Sequence, residues 1–289
     1  MNILITGANG QLGNEMRVMS KAHSKHQYLF TDVLPADGVQ TLDITDPEAV
    51  KAFVESNAIE LIVNCAAYTN VDKAEEDEVT AMKINANALT VLGSQGIKVI
   101  HVSTDYVFSG DEHLPCRETD PVAPRTAYGR TKYEGEKRLL AVCPEAVILR
   151  TAWLYSSFGN NFVKTMIRLG KEKEQLGVVF DQIGTPTYAA DLAQAIFTVI
   201  ETPVWRAGIY HFTNEGVCSW YDFTLAIHEL AGITSCAVRP ILSEEYQYKT
   251  PRPHYSVLDK SKFKQTFDVT IPHWMDGLRR CLDELKIKN

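Results

Sequence analysis

A phenol and an ammonium four residues apart on one helix can move protons. In Tyr128-Gly129-Arg130-Thr131-Lys132 the two groups fall on the same helical face. A free phenol titrates at about 10 and is a poor acid–base group at neutral pH. A neighbouring cation stabilises the phenolate and lowers that value, so the phenol can exchange a proton with a carbonyl or an alcohol. Alone the pair is weak evidence, because the same spacing is found on many solvated helix faces. A third group strengthens it. Ser103-Thr104-Asp105-Tyr106-Val107-Phe108 follows an apolar run, and the Thr104 hydroxyl can hold a substrate oxygen at the carboxyl end of a strand.

A second constellation can hold a diphosphate. Gly7-Ala8-Asn9-Gly10-Gln11-Leu12-Gly13 lies between a short apolar run and a helical pattern. Gly7 permits a tight turn, Gly10 lets an anion approach the backbone, and Gly13 allows close helix–strand packing. The spacing differs by one residue from the common G-x-G-x-x-G fingerprint. Asp32 stands about twenty residues beyond the last glycine, where a carboxylate accepts from an adenosine ribose and disfavours a 2′-phosphate. The same residue also suits a solvated loop before a proline turn. Asp43-Ile44 can flank an adenine, and the small Cys65-Ala66-Ala67 allow close cofactor approach or tight packing.

These groups need a scaffold that brings strand ends together. Strand patterns over Ile3–Thr6, Tyr28–Thr31, Leu61–Asn64, Val99–Ser103 and Val147–Arg150 alternate with helical ones over 11–20, 47–56, 72–92 and 127–141. Asp46-Pro47 is a good cap and first-turn pair. Alternation of this kind predicts an α/β fold with a doubly wound, Rossmann-type parallel sheet. Beyond Trp153 the pattern blurs. Helices are expected over 160–169, 189–200 and 274–285 and a strand over 177–180, with 239–253 irregular around its prolines. The expected division is a dinucleotide-binding domain over 1–152, with 187–213 returning to it, and a smaller substrate-binding lobe over 153–186 and 214–289.

The 289 residues include 45% hydrophobic and 22% charged types, which excludes a disordered or fibrous chain. With 36 acidic against 29 basic residues and no basic tract, neither nucleic acid nor an anionic membrane is an expected partner. No apolar run reaches the ~18 residues that cross a bilayer. The chain enters a strand pattern at once, without a basic n-region, so a cytoplasmic location is expected. The six dispersed cysteines read as reduced thiols. His23 and His26 sit at helical spacing and read as a solvated face; no metal site is expected.

Taken together, the motifs resemble the extended short-chain dehydrogenase/reductase superfamily, and within it the dTDP-4-dehydrorhamnose reductases. The segments that carry the resemblance are Asn64–Thr69, Val71–Glu75, Ser103–Phe108, Tyr128–Lys132, Arg150–Tyr155, Gly159–Val163, Asp181–Thr187 and Arg252-Pro253. It implies reduction of the C4 keto group of dTDP-4-dehydro-L-rhamnose by NADPH or NADH. Thr104, Tyr128 and Lys132 match the catalytic triad, with Tyr128 as proton donor and Lys132 also on the nicotinamide ribose. Gly7, Gly10, Gln11, Leu12 and Gly13 match the dinucleotide loop, and Asp32 and Asp43 surround the adenosine. Thr104, Asp105 and Trp153 match sugar-nucleotide contacts, although an aromatic after a strand equally suits a core. At the nucleotide end, Asn161 can meet a base edge, and Lys164, Arg168 and Arg252 can meet a diphosphate. Related dehydratases carry Asp-Glu after the threonine, whereas Tyr106 follows Asp105 here, which favours reduction over water loss.

Some bacterial relatives bridge subunits through Mg2+. Glu15 matches one ligand position, but Ala190 stands where those relatives place a carboxylate, so a metal bridge is not expected. A monomer and a homodimer both remain compatible. Two other functions share the resemblance: reduction or epimerisation of another deoxy-sugar nucleotide, and the non-catalytic role of the regulatory subunit of methionine adenosyltransferase.

Overall fold

The computed structural model of the chain describes residues 1–287. At its centre lies a parallel sheet of β1 (Asn2–Thr6), β2 (Gln27–Asp32), β3 (Gln40–Thr41), β4 (Leu61–Asn64), β5 (Lys98–Thr104), β6 (Val147–Thr151) and β11 (Gly208–His211). The spatial order is β11-β6-β5-β4-β1-β2-β3. The chain builds outward from β1 through β2 and β3, then restarts on the other side at β4. This reversal opens a crevice beyond the carboxyl ends of β1 and β4, the usual ligand position in such sheets.

Both faces are covered, so the strands are nearly continuous apolar runs. Leu4, Ile62, Val99 and Ile148 pack under α2 (Pro47–Ser56), α5 (Ala88–Gly93) and α6 (Ala127–Val142). Ile3, Ile5, Val63, Ile100 and Leu149 pack under α1 (Gln11–Met19), α8 (Ala189–Glu201) and α10 (Ser261–Phe267). Each such side chain contributes roughly 1.5–3 kcal/mol by leaving water. As the sequence leads one to expect, Asp46 caps α2, its carboxylate accepting from the Glu48 and Ala49 amides at 3.1 Å.

The remaining strands pair locally: β7 (Leu154–Tyr155) with β10 (Thr187–Tyr188), β8 (Gln175–Val179) with β13 (Ala237–Ile241), and β9 (Ile183–Gly184) with β12 (Cys218–Ser219). Around them α7 (Phe162–Glu172), α9 (Trp220–Leu230) and α11 (Trp274–Glu284) enclose a separate core of Tyr155, Val163, Phe223, Ile227 and Leu278.

Three expectations are corrected. The helix read over 72–92 is broken into α3 (Val71–Glu76), α4 (Glu78–Met82), a π-turn over Lys83–Asn87, and α5. Asp77 interrupts it at φ −140° and turns its carboxylate to cap the Thr80 amide; short polar side chains compete in this way with helical backbone. The stretch read as irregular begins with β13, where the edge position tolerates Pro240. His23 and His26 lie in turns. The His23 ring stacks 4.0 Å from Phe197 and its Nδ1 meets Glu201 at 2.6 Å, so it covers core instead of forming a solvated face. No helix among the described residues is long and apolar enough to cross a membrane.

Candidate active site

A cavity of about 850 Å³ lies where the carboxyl ends of β1, β2, β4, β5 and β6 converge. Gly7 shapes its floor. At φ +68° it adopts a conformation that L side chains rarely take, and a Cβ there would stand 2.5 Å from the Ala66 amide nitrogen. Gly13 lies behind the loop and lets α1 press against the Gly7 carbonyl. The N-cap Gly10 has no side-chain capping bond, and the first turn of α1 carries no acidic residue. Its amide groups and positive dipole therefore remain available to an anion. Gly7, Gly10, Gln11, Leu12, Asp32, Asp43, Ile44, Cys65, Ala66 and Ala67 all line this cavity. Asp32 accepts from the Asn9 amide at 3.0 Å, which ties the glycine loop to the end of β2. Bonds from the Thr45 hydroxyl and amide hold the Asp43 carboxyl below its usual range. A loop that excludes Cβ atoms beside an uncapped helix start suits a dinucleotide.

Thr104, Tyr128 and Lys132 face the same space. Thr126 caps α6 through the Gly129 amide, and Glu75 accepts from the Ala127 amide at 2.6 Å. A Cβ at Gly129 would lie 2.2 Å from the Tyr106 carbonyl oxygen. The missing side chain lets the first turn of α6 approach the Thr104 segment. The Tyr128 ring consequently meets Tyr106 edge-on at 5.4 Å, and its phenol hydrogen-bonds the Thr104 hydroxyl. Thr104 in turn donates to Asp105 at 2.8 Å.

The charges differ from the sequence expectation. Burial pushes the Tyr128 phenol up to about 12, and the contact that pulls it down is Thr104. Lys132 does not supply that pull, because its ammonium donates to the Val102 carbonyl at 2.7 Å and meets His101 Nε2 at 3.1 Å. Burial lowers Lys132 to about 8 and raises Asp105 to about 6. A fully protonated phenol suits a proton donor.

A second cavity of about 390 Å³ adjoins the first, with Tyr106 and Trp153 lining both. Trp153 is held at φ +49° and stacks 3.5 Å from Trp220. Phe162, Tyr246, Tyr248, Gln182 and Arg252 complete the wall. Arg252 donates to Asp72 at 2.9 Å and lies over the Tyr248 ring. The other candidates for the nucleotide end are placed differently. Asn161 lines the first cavity, but its amide is used structurally: it caps α7 at the Lys164 amide and donates to Gln11 at 3.0 Å. Lys164 donates to the Gly159 carbonyl, and Arg168 pairs with Glu172 on an exposed face; neither lines either cavity. Trp220, Tyr246 and Tyr248 escaped sequence reasoning, because they lie more than 60 positions from Trp153 in the chain, and Phe162 lay inside the Gly159–Val163 segment without a role. Tyr106 lay inside a quoted motif without a role.

Glu15 is buried and accepts from Ser156 at 2.6 Å, while Asp191, next to Ala190, is paired with Arg280. Among the described residues no cluster of three His, Cys, Asp or Glu side chains could hold a metal.

The family model described as the RmlD substrate binding domain matches residues 1–287. The chain belongs to that family. Curated and solved members of the RmlD family match along nearly their whole length. The dTDP-4-dehydrorhamnose reductase of Escherichia coli K12 is 40% identical, over 99% of this chain and 98% of its own. A dTDP-4-dehydrorhamnose reductase structure from Clostridium acetobutylicum superposes with a TM-score of 0.92 at 43% identity, covering 99% of this chain and all of that one. Another from Bacillus anthracis, solved in complex with NADP, gives a TM-score of 0.90 at 38% identity, covering 98% and 99%.

Proposed function

We propose that this RmlD-family chain reduces the C4 keto group of a dTDP-linked 4-keto sugar, dTDP-4-dehydro-L-rhamnose, with NADPH or NADH. The observation that carries the reading is the placement of Thr104, Tyr128 and Lys132 on one wall of a cavity floored by the glycine loop. When bound, the nicotinamide supplies the hydride. Thr104 orients the carbonyl oxygen and polarises it once its hydroxyl turns away from Asp105. Tyr128, protonated at neutral pH, gives its proton to the alkoxide that forms. Lys132, once its ammonium leaves the Val102 carbonyl, favours the resulting phenolate and restores its proton. The aromatic cavity beyond Trp153 suits a base and its deoxyribose, and we assign it, with the lobe formed by 153–186 and 214–289, to the sugar nucleotide. The free cysteines fit a cytoplasmic location. The deciding assay mixes the purified protein with the dTDP-keto sugar and each reduced cofactor. Stoichiometric cofactor oxidation with dTDP-L-rhamnose as product supports the reading. An epimerised product, another deoxy sugar or no turnover removes it.

Two further outcomes are expected. Asp32→Ala should raise the NADPH-to-NADH preference by about tenfold, roughly 1.4 kcal/mol, by removing a carboxylate that repels a 2′-phosphate. An unchanged ratio of kcat/KM values would separate Asp32 from the ribose. Arg252→Ala should raise KM for the sugar nucleotide by about tenfold or more with kcat nearly kept, since a charged hydrogen bond to phosphate is worth about 1.5–3 kcal/mol. A fall confined to kcat would place Arg252 at the reacting atoms instead.

A further inference from the structure

Behind Lys132 runs a chain of buried polar groups that the reaction as described does not use. The Thr6 hydroxyl, just before the glycine loop, donates to Asn64 Oδ1 at 2.6 Å. Asn64 Nδ2 meets His101 Nδ1 at 2.9 Å, and His101 Nε2 meets Lys132 Nζ at 3.1 Å. His101, Asn64 and Lys132 are each 1% exposed. Both ring nitrogens of His101 thus face a nitrogen. A neutral imidazole has one N–H and one lone pair, so one contact must be donated and the other accepted. Two arrangements pair both ring nitrogens. If Asn64 donates to Nδ1, the proton sits on Nε2 and Lys132 accepts it as a neutral amine, still donating to the Val102 carbonyl. If the Asn64 amide turns over, Nδ1–H donates to its oxygen and Nε2 accepts from the Lys132 ammonium, at the cost of the 3.3 Å bond from Asn64 to the Ala66 carbonyl and with Thr6 accepting where it had donated. The ring stays neutral in both, since burial first and Lys132 second hold its pKa well below the usual range.

We infer that His101 is a positioning residue of the reaction centre whose neutral ring changes tautomer with the charge of Lys132. The lysine can then release a proton toward Tyr128 and regain one while both His101 nitrogens and its own Nζ stay paired, which limits the free-energy cost of its change of charge. The other titratable group that acts on Lys132 lies on its own helix: Glu136, whose carboxylate favours the ammonium. Glu136 is itself paired with Arg150 of β6. Only the kinetic consequence rests on the proposed reduction.

The test therefore has an arm without turnover. Ring 15N shifts of His101 in the substrate-free protein, assigned against His101→Gln, should change from the Nδ1–H pattern to the Nε2–H pattern as pH rises through the Lys132 titration. Lys132→Met should abolish that change. One tautomer throughout overturns the inference, whatever the substrate proves to be. In the kinetic arm, His101→Phe removes the acceptor. It should lower kcat by about tenfold or more and move the basic limb of the kcat profile down by about one pH unit. His101→Gln, whose carbonyl can accept from the ammonium, should recover most of kcat. Activity that falls only in step with folded protein, with the limb unmoved, would make His101 merely structural and overturn it.

Discussion

Tyr128→Phe should lower turnover by about two to four orders of magnitude while cofactor affinity stays within about twofold of the parent. The substitution keeps the ring and its edge-on contact with Tyr106, so the first turn of α6 retains its packing. What disappears is the proton. The alkoxide formed by hydride transfer would then have Thr104 as its nearest hydroxyl, but that hydroxyl already donates to Asp105. In the proposed reaction the cofactor is held mainly by the glycine loop and the start of α1, away from the phenol. Stopped-flow oxidation of the reduced cofactor measures turnover, and fluorescence titration measures affinity. Turnover within about tenfold of the parent would exclude Tyr128 as the donor. Equal losses of binding and turnover would point instead to a displaced helix.

The second large effect is on stability. Glu136→Ala should destabilise the protein by about 3–5 kcal/mol, the usual cost of stranding one member of a buried ion pair. Glu136 and Arg150 are both 1% exposed. Their contact is two-pronged, with Arg150 Nε at 2.9 Å and Nη2 at 2.6 Å from the two carboxylate oxygens. Among the described residues no other carboxylate is paired with Arg150. On its other side lie the Phe108 ring and His211, which burial first and Arg150 second hold down at about 3, and so neutral. Thermal denaturation should show a drop of about 10 °C. Glu136→Leu combined with Arg150→Met should recover much of it, since an apolar pair of similar size removes the stranded charge. A melting point within about 2 °C of the parent would mean that water reaches Arg150 in the folded variant. Glu136 lies one turn beyond Lys132, and its carboxylate favours the ammonium. In whatever folded protein remains, the basic limb of the activity profile should therefore move to lower pH.

Local order and spacing account for what was readable in advance. Gly7, Gly10 and Gly13 are close together in the chain, and what they contribute is a property of three backbone positions, so their spacing was enough to predict a tight turn between β1 and α1. Tyr128 and Lys132 share a helix, whose period puts them on one face. The alternation of Ile3–Thr6, Leu61–Asn64 and Val99–Ser103 with helical segments predicted the parallel sheet, because strands covered on both faces must be apolar throughout. The break at Asp77 was less visible. Its competition with the helix is local, but its outcome depends on Asn85 reaching Tyr68 and Thr131 across the fold.

The chain alone predicted the parallel sheet and the glycine turn and put Tyr128 and Lys132 forward as a pair, because each depends on backbone periodicity or on neighbours a few positions apart. Tertiary structure decided their partners and charges. It turned Lys132 toward His101, kept Tyr128 protonated, tied Asn161 to Gln11 and gathered Phe162, Trp220 and Tyr246 around a second cavity. These outcomes follow from desolvation and from contacts between residues dozens to more than a hundred positions apart, which no local pattern encodes.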